Sequence, residues 1–387
     1  MRRRLWGLPF LFLGACSTPA TPAATDSGVD AEVDAPVPKI AAPTGDPLSW
    51  SFEKVGPYNV GHRSIEVTYR PPGQTADRTI PVDIFYPTLD ADGEHPKYLK
   101  LFGDNDVYED ASAAPAPATG WPVHVYSHGS NGFGGTSSDM AHWFCSHGWV
   151  YVAPNHVGNV LGAGEGKRPV SHNYVRSTDI SAALDAVEKL AAPDPLAGKL
   201  RTKRVLMSGH SYGTLTTWAS SGATFDPVAI QKKCDAGEFI APCTKEEIAV
   251  FTKGVADPRV VAGIPMAGDP SDWFMADGLD APKKPMLLMT GSLDVNGAPV
   301  FARVTTNDFT WIDFTGGCHQ LFALGGCSSF PEKEGWALTN SWALAFGRRY
   351  VLGDAGARTT EIVTGTAALD PRIKFQHKGA TTPPAGP

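Results

Sequence analysis

The sequence predicts an α/β protein: a mainly parallel central sheet with helices on both faces and a small cap insert at 223–258. Three observations carry that expectation. From residue 123 onward, short apolar runs alternate with segments of helical periodicity, the pattern of strands joined by crossover helices. Two earlier segments, 62–69 and 79–86, instead alternate apolar with polar residues, as half-exposed antiparallel strands at a sheet edge do. Finally, Gly209-His-Ser211-Tyr-Gly213 forms a Gly-x-Ser-x-Gly pattern between an apolar run and a proline-free stretch, so that strand, sharp turn and helix follow in order.

After the two edge segments, 123–126 reads as the first buried strand, 138–146 as a helix and 149–153 as the next strand. A second helix is predicted over 178–190, where Ile180, Leu184, Val187 and Ala191 recur on one face and Asp179 falls in the first turn, favoured by the helix dipole. The strand at 205–208 and the helix at 211–221 flank the Gly-x-Ser-x-Gly turn. Residues 223–258 break the alternation, carry a cysteine pair and read as short helices capping a crevice. Strands at 260–265, 285–290 and 309–314 and a long helix at 332–350 complete a single domain over 48–377, followed by a frayed tail at 378–387.

A chain of 387 residues that is 42% hydrophobic can bury a large core, and its net charge of −7 argues against nucleic acid as a partner. The N-terminus is a different kind of segment. Arg2, Arg3 and Arg4 precede an apolar stretch, 5–13, too short to span a bilayer, and Leu13-Gly14-Ala15-Cys16 resembles the lipobox of bacterial lipoproteins. Residues 1–16 are therefore expected to be a signal peptide that leaves Cys16 lipidated, with Ser17 matching outer-membrane rather than inner-membrane sorting. Thr, Pro, Ala and Asp dominate 17–47, which predicts a disordered tether. The expected product is an exported monomer at the outer membrane, periplasm or cell surface, touching membrane only through its lipid. Setting Cys16 aside leaves Cys145, Cys234, Cys243, Cys318 and Cys327, an odd number in a compartment that allows disulfides. Local bridges Cys234–Cys243 and Cys318–Cys327 are the simplest pairing, with Cys145, next to Trp143 and Phe144, a buried free thiol.

A serine hydroxyl needs a base within reach and an acid to orient that base. Asp294 follows the 285–290 strand and His319 follows the 309–314 strand, so a Ser211, Asp294, His319 set falls at the ends of successive predicted strands, in the chain order of the α/β hydrolases. Asp269 and Asp272, after the preceding strand, are the rival acids. The oxyanion formed after attack needs backbone donors already in place. Tyr212, the residue after the serine, supplies one, and Ser130, in the glycine-bearing loop Ser127-His-Gly-Ser-Asn-Gly132, supplies the other. His128 and His210 are expected to pack around the loop and the turn. Other motifs fail: the glycine-rich run 162–167 lacks the hydroxyl residue of a phosphate loop, no Cys or His set has zinc spacing, and the acidic stretch from Asp104 to Asp110 reads as a solvated loop rather than a calcium site. No metal or organic cofactor is expected.

Gly61-His-Arg, Ile80-Pro-Val-Asp-Ile-Phe-Tyr-Pro, Tyr126-Ser-His-Gly, Ser146-His-Gly-Trp-Val, Arg176-Ser-Thr-Asp-Ile, Gly209-His-Ser-Tyr-Gly and Cys318-His-Gln together resemble α/β hydrolases of the dienelactone-hydrolase-like and platelet-activating-factor-acetylhydrolase-like group. The resemblance implies an α/β-hydrolase fold, a Ser211, acid and His319 triad, Ser130 and Tyr212 amides as oxyanion hole, and carboxylic ester hydrolysis. Two departures matter. Dienelactone hydrolases carry cysteine where this chain has Ser211, and the acid position of the acetylhydrolases is matched by Ala267. Cutinase-like polyester hydrolases place the acid in a later Gly-x-x-Asp turn, matched by Gly291-Ser-Leu-Asp294. A small polar insert without a long apolar helix predicts a preference for short acyl chains. Trp273, Phe274 and Phe322 as receivers of an aromatic unit keep polyester hydrolysis as the alternative. A catalytically silent surface-binding domain is the alternative of another class.

Overall fold

Among the described residues twelve strands form in chain order: β1 (Asn59–Tyr69), β2 (Arg78–Thr88), β3 (Lys97–Tyr98), β4 (Phe102–Gly103), β5 (Val107–Glu109), β6 (Trp121–Ser127), β7 (Val150–Pro154), β8 (Leu200–His210), β9 (Val260–Met266), β10 (Met286–Gly291), β11 (Phe309–Phe314) and β12 (Ile373–Lys378). The computed structural model describes residues 37–164, 166–323 and 326–379. The expected signal segment with Cys16, the tether up to residue 36 and the tail from residue 380 lie outside them.

Ten of these strands make one sheet in the order β12-β11-β10-β9-β8-β6-β7-β2-β1-β5, and β3 with β4 forms a separate hairpin. The six strands from β11 to β7 are mutually parallel. Antiparallel β2, β1 and β12 close the two sides, and short β5 runs parallel to β1 at the extreme edge. Buried on both faces, the parallel strands send alternate side chains to opposite layers. In β8, Leu206 packs with Phe144, Trp149 and Phe346, while Val205 and Met207 pack with Ile180 and Leu184.

Helices α1 (Ser138–Ser146) and α7 (Glu332–Val351) cover one face. The other face carries α2 (His172–Glu188) and α3 (Tyr212–Ser221). Between α3 and β9 lie α4 (Pro227–Asp235) and α5 (Lys245–Lys253), after β10 comes α6 (Ala298–Arg303), and α8 (Ala357–Thr364) follows α7. Cys145 is a free, fully buried thiol in the α1 layer.

Several expectations need correction. Helix α2 starts at His172 rather than at 178, so Asp179 sits in its middle, and Ala191 lies beyond its end. The reason is that its buried side includes Asn173, Arg176, Ser177 and Asp179, which have partners in the fold but break an apolar stripe. Part of the expected tether is ordered: Ile40 N–H donates to Leu89 O at 2.7 Å, Ala91 N–H donates to Pro38 O at 2.7 Å, and Lys39 pairs with Asp90 at 2.7 Å. These bonds offset the entropy of fixing that segment. The 223–258 insert does form two short helices, joined by the Cys234–Cys243 bridge. Its Phe225, Ile230, Val250 and Phe251 share one buried cluster with Tyr174 and Phe274. The acidic stretch holds β5 at 107–109 instead of a plain loop, and Asp104 accepts from the Tyr98 hydroxyl at 2.9 Å and lies 3.2 Å from His142. The donor atoms of Asp104, Asp106 and His142 come within 4.8 Å of one another.

Candidate active site

Ser211 is the hinge between β8 and α3, at φ 55° and ψ −116°. A non-glycine residue at positive φ is strained and persists only where its surroundings over-determine it. Here two glycines do so. A Cβ on Gly209 would stand 2.3 Å from Gly213 O, and one on Gly213 would stand 2.0 Å from Ser127 O, so only glycine lets the turn close against the β6 loop. The Ser211 N–H is tied to Met266 O at 2.9 Å. Tyr212, the first residue of α3, presents a backbone N–H at the positive end of the helix dipole.

Asp294 and His319 come from the neighbouring strand ends. After β10 the chain turns tightly, with Asp294 N–H donating to Gly291 O at 2.9 Å and Leu293 N–H donating to Gly317 O at 2.9 Å. Past β11, a Cβ on Gly291 would meet Gly317 O at 2.4 Å, which lets the two turns touch. The outcome is one bond: His319 Nδ1 to Asp294 Oδ2, 2.9 Å. With the carboxylate as acceptor the proton resides on Nδ1, leaving His319 Nε2 as a lone-pair acceptor. The rivals are elsewhere engaged. Asp269 is exposed and accepts from Ser271 N–H at 2.9 Å, and Asp272 pairs with Lys233 at 3.1 Å.

Two constraints hold the backbone of His319. Cys318, the preceding residue, is bridged to Cys327, closing a local ring. His210 Nε2–H donates to His319 O at 2.8 Å, and the two rings lie 4.8 Å apart. Burial pushes the His210 imidazole down to about 4, so it is neutral at pH 7 and a single-proton donor.

Ser211 and His319 line one cleft of 220 Å³ with His210 and Gln320, facing Gly129, Ser130, Asn131 and Gly132 across it. Neither the Ser130 nor the Tyr212 backbone N–H has an acceptor among the described residues. His128 fixes the Ser130 peptide. Its Nε2 accepts the His156 N–H at 3.0 Å, so its proton is on Nδ1, which donates to Gly129 O at 2.7 Å, the carbonyl of the same peptide that carries the Ser130 N–H. Burial, with the Arg176 charge nearby, holds His128 well below its ordinary titration range and keeps it neutral.

No residue of the 223–258 insert lines this cleft among the described residues, so the expected cap does not contribute to its walls. A separate void of 10 Å³ shares Thr136 and Ala323 with this cleft and is lined also by Met140, Leu321 and Trp336. Of the three aromatics expected to receive an aromatic unit, Phe274 and Phe322 are core residues, stacked on Phe225 at 4.9 Å and edge-on to Phe314 at 5.5 Å. Trp273 is half-buried under the Lys233 ammonium.

Searched against known proteins, the chain matches no family model and no curated protein. Sequence reasoning missed Arg176, His156 and Asn159 as parts of the site's support. The available signal was the polar spacing at 173, 176, 177 and 179, misread because it broke the apolar stripe.

Proposed function

We propose that this protein is a serine hydrolase of the α/β-hydrolase type that cleaves carboxylic esters of short acyl chains through an acyl-enzyme. The observation that carries the reading is the 2.9 Å bond from His319 Nδ1 to Asp294 in a cleft shared with Ser211, itself strained at positive φ. In the mechanism, Ser211 Oγ attacks the ester carbonyl carbon while its proton passes to His319 Nε2, and Asp294 stabilises the imidazolium that forms. The Ser130 and Tyr212 N–H groups receive the oxyanion. Collapse of the adduct breaks the bond to the alkoxy oxygen, which takes the proton from His319 and leaves as alcohol. Water then attacks the acyl-serine with His319 as base, releasing the acid and restoring Ser211. Short acyl chains fit because the 220 Å³ cleft is walled mainly by glycine and polar residues, so methylenes beyond the first few find no apolar wall among its described lining. The same reading has the domain exported and anchored through a lipid on Cys16.

A fluorophosphonate probe should label the wild type and not Ser211→Ala. Failure of the folded wild type to label would overturn the reading in favour of a silent binding domain. A p-nitrophenyl ester series from acetate to palmitate, run beside an aromatic polyester film, should peak at four carbons or fewer. A maximum at twelve or more, or faster release from the film, would overturn the substrate class.

A further inference from the structure

We infer that Arg176 is a positioning residue that clamps the two halves of the oxyanion hole together; this rests on the serine-hydrolase reading above. Arg176 lies in α2, 2% exposed, yet no carboxylate contacts its guanidinium among the described residues. The nearest carboxylate on its helix, Asp179, is already engaged by Arg78 at 2.7 Å, by the Tyr69 hydroxyl at 2.6 Å and by His156 Nδ1 at 2.8 Å. Burial lowers Arg176 to about 10, so it stays charged at neutral pH.

A buried cation without a counter-ion is costly, and a methionine or leucine would fill the same volume without that penalty. Its donors go instead to the two segments that bear the oxyanion donors. Toward the Ser130 loop, one terminal nitrogen donates to Ser127 Oγ at 3.1 Å and to the His128 carbonyl, and the other donates to Asn159 Oδ1 at 2.6 Å. Asn159 passes the grip on: its side-chain amide donates to Ser130 Oγ at 3.0 Å and its carbonyl accepts the Asn131 N–H at 3.0 Å. Toward the elbow, Arg176 Nε donates to Thr216 Oγ1 at 3.2 Å, and the guanidinium lies 4.6 Å from the centroid of the Tyr212 ring. One rigid planar fork thus spans from residues 127–131 to α3, whose first N–H is that of Tyr212.

Hydrogen-bond donors stabilise an oxyanion only when their spacing is set before the charge forms. Arg176 sets that spacing through its bonds to both segments. Lysine cannot replace it, because a single ammonium cannot span acceptors on both sides.

The test is steady-state kinetics on Arg176→Met and Arg176→Lys with a short-chain ester, with active sites counted by fluorophosphonate titration. Affinities for a trifluoromethyl ketone, which mimics the oxyanion, and for a non-reactive amide analogue, which does not, complete the set. Expected are a kcat per active site lowered about ten- to a hundredfold, KM within about twofold, ketone affinity falling in parallel with kcat/KM, and amide affinity unchanged. Asn159→Ala, which breaks only the relay to Ser130 and Asn131, should lower kcat about three- to tenfold in the same pattern and serves if the Arg176 variants do not fold. Wild-type kcat per active site in whichever of these variants fold, or equal losses of ketone and amide affinity, would overturn the clamp while leaving the hydrolase reading intact. A wild type that neither labels nor turns over esters would overturn both.

Discussion

The two sides of the candidate site are held by different means. Ser211 is fixed from beneath by the sheet: its turn is closed by two glycines at van der Waals limits, and the buried imidazoles that support the turn and the facing loop are His128, His156 and His210, each 5% exposed or less. His319 and Asp294 stand on surface turns, their side chains 37% and 14% exposed, and the His319 turn is held by the disulfide beside it, by the hydrogen bond from His210 and by the Leu293 N–H bond to Gly317 O. The nucleophile side thus depends on the buried imidazoles of His128 and His156 remaining neutral, whereas the base side adds a covalent ring to the bond from His210. The two sides should fail under different stresses, low pH for the first and reductant for the second.

The largest effects belong to the chemistry that joins the sides. Ser211→Ala and His319→Ala should each lower kcat by about four to six orders of magnitude with little change in Tm, read from ester turnover and thermal melts, because the triad acts as a unit. Asp294→Asn should lower it by about four orders of magnitude. Asp269→Asn and Asp272→Asn should stay within about twofold; a dead Asp269 or Asp272 variant beside an active Asp294→Asn would reassign the acid.

Acid is the next lever. His210 titrates near 4 in the folded protein and near 6.5 when unfolded, so the unfolded chain binds the extra proton between those values. Its contribution to stability is present above pH 6.5 and is lost as pH falls through 4. That is about 3 kcal/mol for His210, with His128 and His156, both lowered mainly by burial, adding in the same direction. Denaturant melts at pH 7, 5.5 and 4 should show stability falling steadily. His210→Gln, which keeps an N–H donor for the His319 carbonyl, should flatten part of that slope, and an unchanged slope would refute the assignment.

The smallest effects separate the two bridges, which close rings of equal length. Replacing either pair by serine should cost roughly 2–3 kcal/mol of stability in the chain-entropy view. Loss of Cys318–Cys327 should also lower kcat about three- to tenfold, because His319 adjoins it, whereas loss of Cys234–Cys243, in the 223–258 insert, should leave kcat within about twofold. Equal kinetic losses from the two would mean that bridging Cys318 does not position the base.

How much was legible follows the same division. The elbow is legible because its demands are local: an apolar strand, two positions where any Cβ collides, and a helix free of proline. The Asp294 and His319 turns are legible because strand order puts their loops at one end of the sheet, and the cysteine pairs because nearby thiols bridge most readily. Strand β12, short β5 and the ordered stretch from residue 37 to 47 escaped, since edge segments are held by backbone bonds that leave little trace in side-chain pattern.

The sequence by itself determined the alternating α/β order, the glycine-framed Ser211 turn, the chain order of Ser211, Asp294 and His319, and which thiols lie close enough to bridge. Each rests on neighbours within a few residues or on the succession of elements, and both are written along the chain. Only the tertiary structure decided that α2 begins at His172, that Phe274 and Phe322 are core, that the insert packs aside from the cleft, and that Arg176 and Asp179 share one buried helix without pairing to each other. Those outcomes depend on where a polar or aromatic group finds its partner, and the partners are far off in sequence: Arg78 meets Asp179 across 101 positions and Arg176 meets the His128 carbonyl across 48. Most buried polar groups need such a partner, and nothing within a few residues of them says whether one will arrive.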